Sequence, residues 1–144
     1  MVGQGSGPIE RPVMPYDDRV LSSRAALSLE ELPDRVVVVG GGYIGLELGI
    51  TFRMLGSEVT VVEAMDSVLP LFDKELRRPL ELFLKKNKIK VHTGVFAKGA
   101  EKQKGGKVKL NFIAKNEKDE KKMQHVVADN VLVTVGRKTA SSGL

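Results

Sequence analysis

The 144-residue chain is 42% hydrophobic and 28% charged with a formal net charge of +5, the balance of a globular chain with room for one domain and a full core. It contains no cysteine, so it can build neither a disulfide framework, a thiolate metal site nor a thiol redox couple. No window reaches the about 18 consecutive apolar residues of a membrane span, and the start MVGQGSGP lacks the basic and apolar regions of a signal peptide; a cytoplasmic protein with no membrane contact is the expectation.

Residues 1–34 are rich in Gly, Pro and turn formers and read as an N-terminal arm, with a short helical candidate over Ser22–Leu32. Val36–Val39 is a continuous β-branched run, as expected of a strand buried on both faces of a parallel sheet. The period then changes. Ile44, Leu48, Phe52 and Leu55 follow helical spacing, and Gly56 sits where a left-handed C-terminal cap belongs. Glu58–Glu63 is a second strand, so Val36–Glu63 predicts a βαβ crossover. A second helix is predicted over Asp73–Lys86, with Leu76, Leu80, Phe83 and Leu84 on one face and Pro79 expected to kink or split it.

A short strand, Ile89–His92, follows. Beyond it Gly105-Gly106 marks a hairpin turn, and Val108, Leu110 and Phe112 alternate with polar residues as in a half-exposed meander. A strand near Met123–Val127 leads into Asn130–Val135, again of the buried, β-branched type. The fold class expected is α/β: a Rossmann-like parallel sheet flanked by helices, with an antiparallel three-stranded meander.

The charge is uneven, with residues 85–122 holding 13 Lys against 4 acids. Nucleic-acid binding would want aromatic residues interleaved with the lysines. The stretch offers only Phe96 and Phe112, at positions that read as core, so a solvated face is favoured over a basic docking patch and no nucleic-acid partner is expected.

The chemistry lies between the first strand and its helix. Gly40-Gly41-Gly42-Tyr43-Ile44-Gly45 fits G-x-G-x-x-G: Gly40 allows the tight turn, Gly42 lets the backbone approach a pyrophosphate, and Gly45 lets helix and strand pack closely. The first N–H groups of that helix and its macrodipole favour negative charge at this point. Glu63 closes the second strand 18 residues after Gly45, near the ~20-residue spacing at which an acid meets an adenosine ribose. The alternatives are a glycine turn that only packs helix on strand and a solvated acid at a strand end. Glu63 favours NAD over NADP, because its carboxylate would repel a 2′-phosphate and residues 64–70 supply no Arg or Lys.

The segment PDRVVVVGGGYIGLELGITFRMLGSEVTVVE resembles the NAD-binding domain of the dihydrolipoamide dehydrogenases, within the flavoprotein disulfide reductases. GSGPIERPVMPYDDRVLSSRAAL is similar to the segment leaving that family's FAD domain, and VLVTVGRK to its strand ending in a GRxP turn, with Thr139 where the family has proline. The resemblance implies an NAD-binding domain over residues 35–138, preceded by an arm from the FAD-domain junction (1–34) and followed by a tail (139–144).

It further implies that Glu47 is the glutamate near the nicotinamide that pairs with a lysine of the FAD domain, with an ordinary helix acid as its alternative. Tyr43 matches a position where some disulfide reductases carry a flavin-covering tyrosine, with core packing as its alternative. Gly136 would let the backbone approach the nicotinamide ribose side. Ile44 belongs with the cofactor-binding set through the motif.

The family's relay runs from dihydrolipoamide through a disulfide and FAD to NAD, with a His-Glu pair managing protons. This chain holds none of the thiols and a single glycine fingerprint, and His92 and His125 match no catalytic position. The expectation is therefore an excised NAD-binding domain without catalytic residues or metal. FAD would be bound mainly outside it, its partners would be the FAD and interface domains and, for the parent enzyme, a 2-oxo acid dehydrogenase complex. The isolated chain is expected to be monomeric, because the family's dimer contacts come mainly from the interface domain. Two other readings are a domain of a related NADH oxidase or peroxidase and a non-enzymatic module binding a nucleotide or an acidic partner.

Overall fold

The computed structural model describes residues 5–140, so the outer ends of the expected arm and tail, 1–4 and 141–144, lie outside the described residues. In chain order the elements are β1 (Ser6–Pro8), β2 (Val20–Leu21), α1 (Ser23–Ala26), β3 (Arg35–Val39), α2 (Tyr43–Leu55), β4 (Glu58–Val62), α3 (Lys74–Lys86), β5 (Lys90–His92), β6 (Val95–Lys102), β7 (Val108–Ala114), β8 (Gln124–Ala128), β9 (Asn130–Val133) and β10 (Arg137–Thr139). The architecture is α/β, a five-stranded parallel sheet in the order β2-β9-β3-β4-β5 with a separate antiparallel β6-β7-β8 meander.

The β-branched runs form strands because both faces of the sheet are covered. In β3, Val37 and Val39 enter a core shared with Leu110 and Phe112 of the meander, while Val36 and Val38 face the layer of Leu46, Phe52 and Leu84 from α2 and α3. Successive side chains of a strand point to opposite faces, so a run apolar at every position bridges two cores. Val39 is level with Val62 on one side and Val133 on the other. Gly40, Glu63 and Thr134 therefore leave three adjacent strands at the same edge.

Three expectations are corrected. The helical candidate Ser22–Leu32 shortens to α1, which Ser22 caps through its hydroxyl by accepting from Ala25 N–H at 3.2 Å. Only Ala26 of that helix is buried, and so short a segment cannot extend on propensity alone before Pro33. α3 runs unbroken through Pro79; the carbonyl of Glu75, which the proline leaves without its usual donor, lies on an exposed turn where water can take that place. Phe96 is not core: it is 43% exposed, whereas Phe112 is 1% exposed.

The lysine-rich stretch is partly neutralised. Lys102 bridges Asp17 and Asp18, Lys107 pairs with Asp129, Lys109 with Glu101 and Lys122 with Glu117. No helix among the described residues is long and apolar enough to cross a membrane.

Candidate functional site

The glycine turn is shaped by what crowds it. Gly40 has φ +108°, and a Cβ there would lie 2.7 Å from the Thr134 carbonyl oxygen. A Cβ on Gly45 would lie 2.2 Å from the Gly40 carbonyl oxygen and 2.5 Å from the Thr134 hydroxyl. Gly42 is the opposite case: nothing lies within 4 Å of where its Cβ would be. It caps the N-terminus of α2 without a side-chain hydrogen bond, and the first intrahelical donor is Leu46 N–H, bonding to the Gly42 carbonyl at 3.0 Å. The N–H groups of Tyr43, Ile44 and Gly45 are thus those a helix leaves for an outside partner.

Glu63 is 7% exposed, and two neighbouring strands, β5 and β6, hold its backbone. Its N–H donates to the His92 carbonyl at 2.8 Å, and its carbonyl accepts from Val95 N–H at 3.1 Å. Its Oε2 accepts from Gly41 N–H at 2.5 Å and its Oε1 from Met65 N–H at 2.6 Å. Each oxygen keeps capacity for a further donor. The carboxylate is thereby locked against the glycine turn, and Gly41, which the motif leaves as an unspecified position, acquires a role: a Cβ there would lie 3.0 Å from Val68 and 3.2 Å from Glu63 Oε2.

A cleft of about 550 Å³ opens over this strand edge. Gly40, Gly42, Tyr43 and Glu63 line it, together with Leu69 to Phe72 of the following loop and Val95 to Ala97 of the meander. Leu69 N–H donates to the Gly41 carbonyl at 2.9 Å, tying that loop to the turn. Ile44, Gly45, Glu47 and Gly136 are not in the lining. Ile44 and Gly45 supply helix N–H groups and packing instead. Glu47 is an exposed residue of the second turn of α2 with no ion-pair partner among the described residues. Gly136, at φ +128°, turns the chain between β9 and β10, its carbonyl accepting from Ile9 N–H at 3.1 Å.

Tyr43 opens α2 and is 62% exposed at the cleft, so core packing does not account for it. His92 stacks obliquely on Phe112, ring centres 5.0 Å apart, and His125 is an exposed residue of β8. Among the described residues no cluster of His, Cys, Asp or Glu is arranged to hold a metal.

Thr134 escapes the sequence reading altogether. Its N–H donates to the Val39 carbonyl at 2.8 Å, and its hydroxyl lies 3.1 Å from the carbonyl oxygens of both Val39 and Gly40. A threonine at the end of a β-branched run is indistinguishable in sequence from an ordinary strand residue.

The sequence pattern of the family described as "Pyridine nucleotide-disulphide oxidoreductase" matches residues 8–144. Dihydrolipoyl dehydrogenase of Bacillus subtilis is 42% identical over 139 residues, which are 96% of this chain and 28% of that protein. The Staphylococcus aureus dihydrolipoyl dehydrogenase is 44% identical over 138 residues, again 28% of its length. Among solved structures, LpdA from Mycobacterium tuberculosis superposes with a TM-score of 0.84 at 28% identity, over 98% of this chain and 29% of that one. The HOCl-induced flavoprotein disulfide reductase RclA from Escherichia coli, at 23% identity and a TM-score of 0.81 over 99% of this chain and 31% of its own, shares the fold. The chain spans under a third of the length of these relatives. With a glycine fingerprint on a parallel sheet, an acid locked to it and a family pattern running over residues 8–144, the chain belongs to the pyridine nucleotide-disulphide oxidoreductase family.

Proposed function

We propose that the chain is the NAD(H)-binding domain of a dihydrolipoyl dehydrogenase. The observation that carries this reading is the pairing of an uncapped helix N-terminus at Gly42, open where a side chain would stand, with the fixed carboxylate of Glu63 in one cleft. The helix end suits a pyrophosphate, and the remaining acceptor capacity of Glu63 suits the two hydroxyls of an adenosine ribose. Gly40, Gly42, Tyr43, Ile44, Gly45, Glu47, Glu63 and Gly136 are the proposed binding set. Residues 35–138 form the nucleotide-binding domain on this reading, with 1–34 leading into it and 139–144 leaving it.

The bound nicotinamide would supply hydride transfer. Tyr43, Glu47 and the Val135-Gly136 segment would position it against a flavin held elsewhere. FAD, the FAD and interface domains and a 2-oxo acid dehydrogenase complex are the partners proposed for the parent enzyme.

Binding of NADH and NADPH to wild-type protein and to Glu63→Ala, compared by calorimetry, tests the reading. A hydrogen bond to a charged group contributes about 1.5–3 kcal/mol, so Glu63→Ala should weaken NADH about tenfold to a hundredfold and strengthen NADPH. The ratio of the two affinities is the readout, because loosening of the glycine turn would affect both alike. A wild-type preference for NADPH, or a ratio that the substitution leaves unmoved, overturns the assignment.

A further inference from the structure

Two charged side chains line the cleft, Glu63 and Arg11. Arg11 comes from the N-terminal arm, more than fifty residues from Glu63 in sequence, and nothing in the spacing of the glycine fingerprint points to it. It opens the four-residue turn Arg11–Met14, closed by Met14 N–H donating to the Arg11 carbonyl at 2.9 Å. Pro12 occupies the second position of that turn, where its fixed φ stiffens the backbone.

The arm is anchored on both sides of this turn: Ile9 N–H bonds to the Gly136 carbonyl, and Met14 is 3% exposed in the core beneath the meander. The guanidinium is exposed, with no hydrogen-bond or ion-pair partner among the described residues. The neighbouring acid does not neutralise it, since Glu10 Oε1 accepts from Tyr16 N–H instead.

The backbone beneath Arg11 is thus fixed, its charge is uncompensated, and the cleft it borders is otherwise largely apolar and lacks any other cation. Such a guanidinium is suited to a phosphate oxygen, which it can engage with two parallel N–H donors. We propose that Arg11 contacts the bound dinucleotide and pairs with its pyrophosphate from the arm side of the cleft, adding a cation to the helix N–H groups at Gly42. The inference rests on the dinucleotide reading above. A 2′-phosphate is the other anion such a ligand could offer, but the fixed carboxylate of Glu63 would repel it at the ribose.

Calorimetry on the 144-residue chain separates these cases, with wild type, Arg11→Ala and Arg11→Lys each titrated with NADH and NADPH at low and high salt. Arg11→Ala should lose about tenfold for NADH and the same factor for NADPH, because the pyrophosphate is common to both. Its affinity should depend less on salt than that of the wild type, and Arg11→Lys should recover part of the loss. Unchanged melting temperatures would exclude a folding effect, since the side chain makes no hydrogen bond or ion pair among the described residues. Unaltered NADH affinity in Arg11→Ala overturns the proposal, and so does a loss confined to NADPH, which would assign Arg11 to a 2′-phosphate. A wild-type chain that binds neither nucleotide overturns instead the reading on which the proposal rests.

Discussion

Gly42 and Gly45 stand three residues apart in one motif, and the space around them differs in kind. At Gly45 an added methyl would meet the Gly40 carbonyl and the Thr134 hydroxyl at distances no real Cβ shows. Gly45→Ala should destabilise the fold by about 1–3 kcal/mol or more, outweighing the gain in helix propensity of at most about 1 kcal/mol. Gly42 has φ −76° and ψ 176°, an extended conformation open to any residue, with empty space beyond it. Gly42→Val should change stability by less than about 1 kcal/mol while abolishing NADH binding, because the side chain would occupy the place assigned to the pyrophosphate. Urea denaturation and NADH titration of both variants check this pair. A Gly42→Val protein that still binds NADH normally would place the nucleotide elsewhere.

At the scale of elements, α3 keeps a proline that its pattern argued against. The helix begins after Asp73, whose carbonyl accepts from Leu76 and Arg77 N–H, each at 3.1 Å. Its attachment to the sheet comes later, through Leu80 and the fully buried Leu84. Packing of that second half holds the helix in register, while the missing bond at Pro79 falls in its exposed first half. Pro79→Ala restores a donor to the Glu75 carbonyl and should raise stability by about 1–3 kcal/mol. The shift of the urea midpoint measures it. An unchanged or lowered midpoint would mean that the helix has adapted to its proline and gains nothing from the extra bond.

The whole molecule is joined across its layers by carboxylates as well as by apolar contacts. Asp129, between β8 and β9, accepts from Arg35 N–H of β3 at 2.8 Å and pairs with Lys107, which immediately precedes β7. Burial alone would raise its pKa, but the hydrogen bonds from Lys107 and Arg35 outweigh that effect and hold it below the usual 3.8. Asp17, which accepts from Arg19 and Val20 N–H at 2.7 Å each, is lowered in the same way against its own burial, with Lys102 contributing. A pKa lowered by folding means that the stabilisation is complete above 3.8 and vanishes as the pH falls through the folded-state value. Urea midpoints should therefore hold steady down to about pH 4 and drop below it. Asp129→Asn should start from a lower midpoint and lose less on acidification; an acid response identical to wild type would show that Asp129 contributes nothing to it.

The sequence by itself determined the parallel strands, the α2 crossover, the meander and the pairing of a glycine turn with Glu63. Those features rest on local rules: alternation or its absence along a strand, helical spacing, and the conformational freedom that only glycine has at Gly40. Tertiary structure alone decided how far α1 extends, that α3 tolerates Pro79, that Phe96 and Tyr43 face a cleft, and that Thr134 and Gly41 brace the turn. It also brought Arg11 to Glu63's cleft, although residues 64–70 after Glu63 hold no Arg or Lys. Each of these depends on which distant segment occupies the neighbouring space, and β9 and the N-terminal arm reach the glycine turn only once Val39, Val62 and Val133 are level across the sheet.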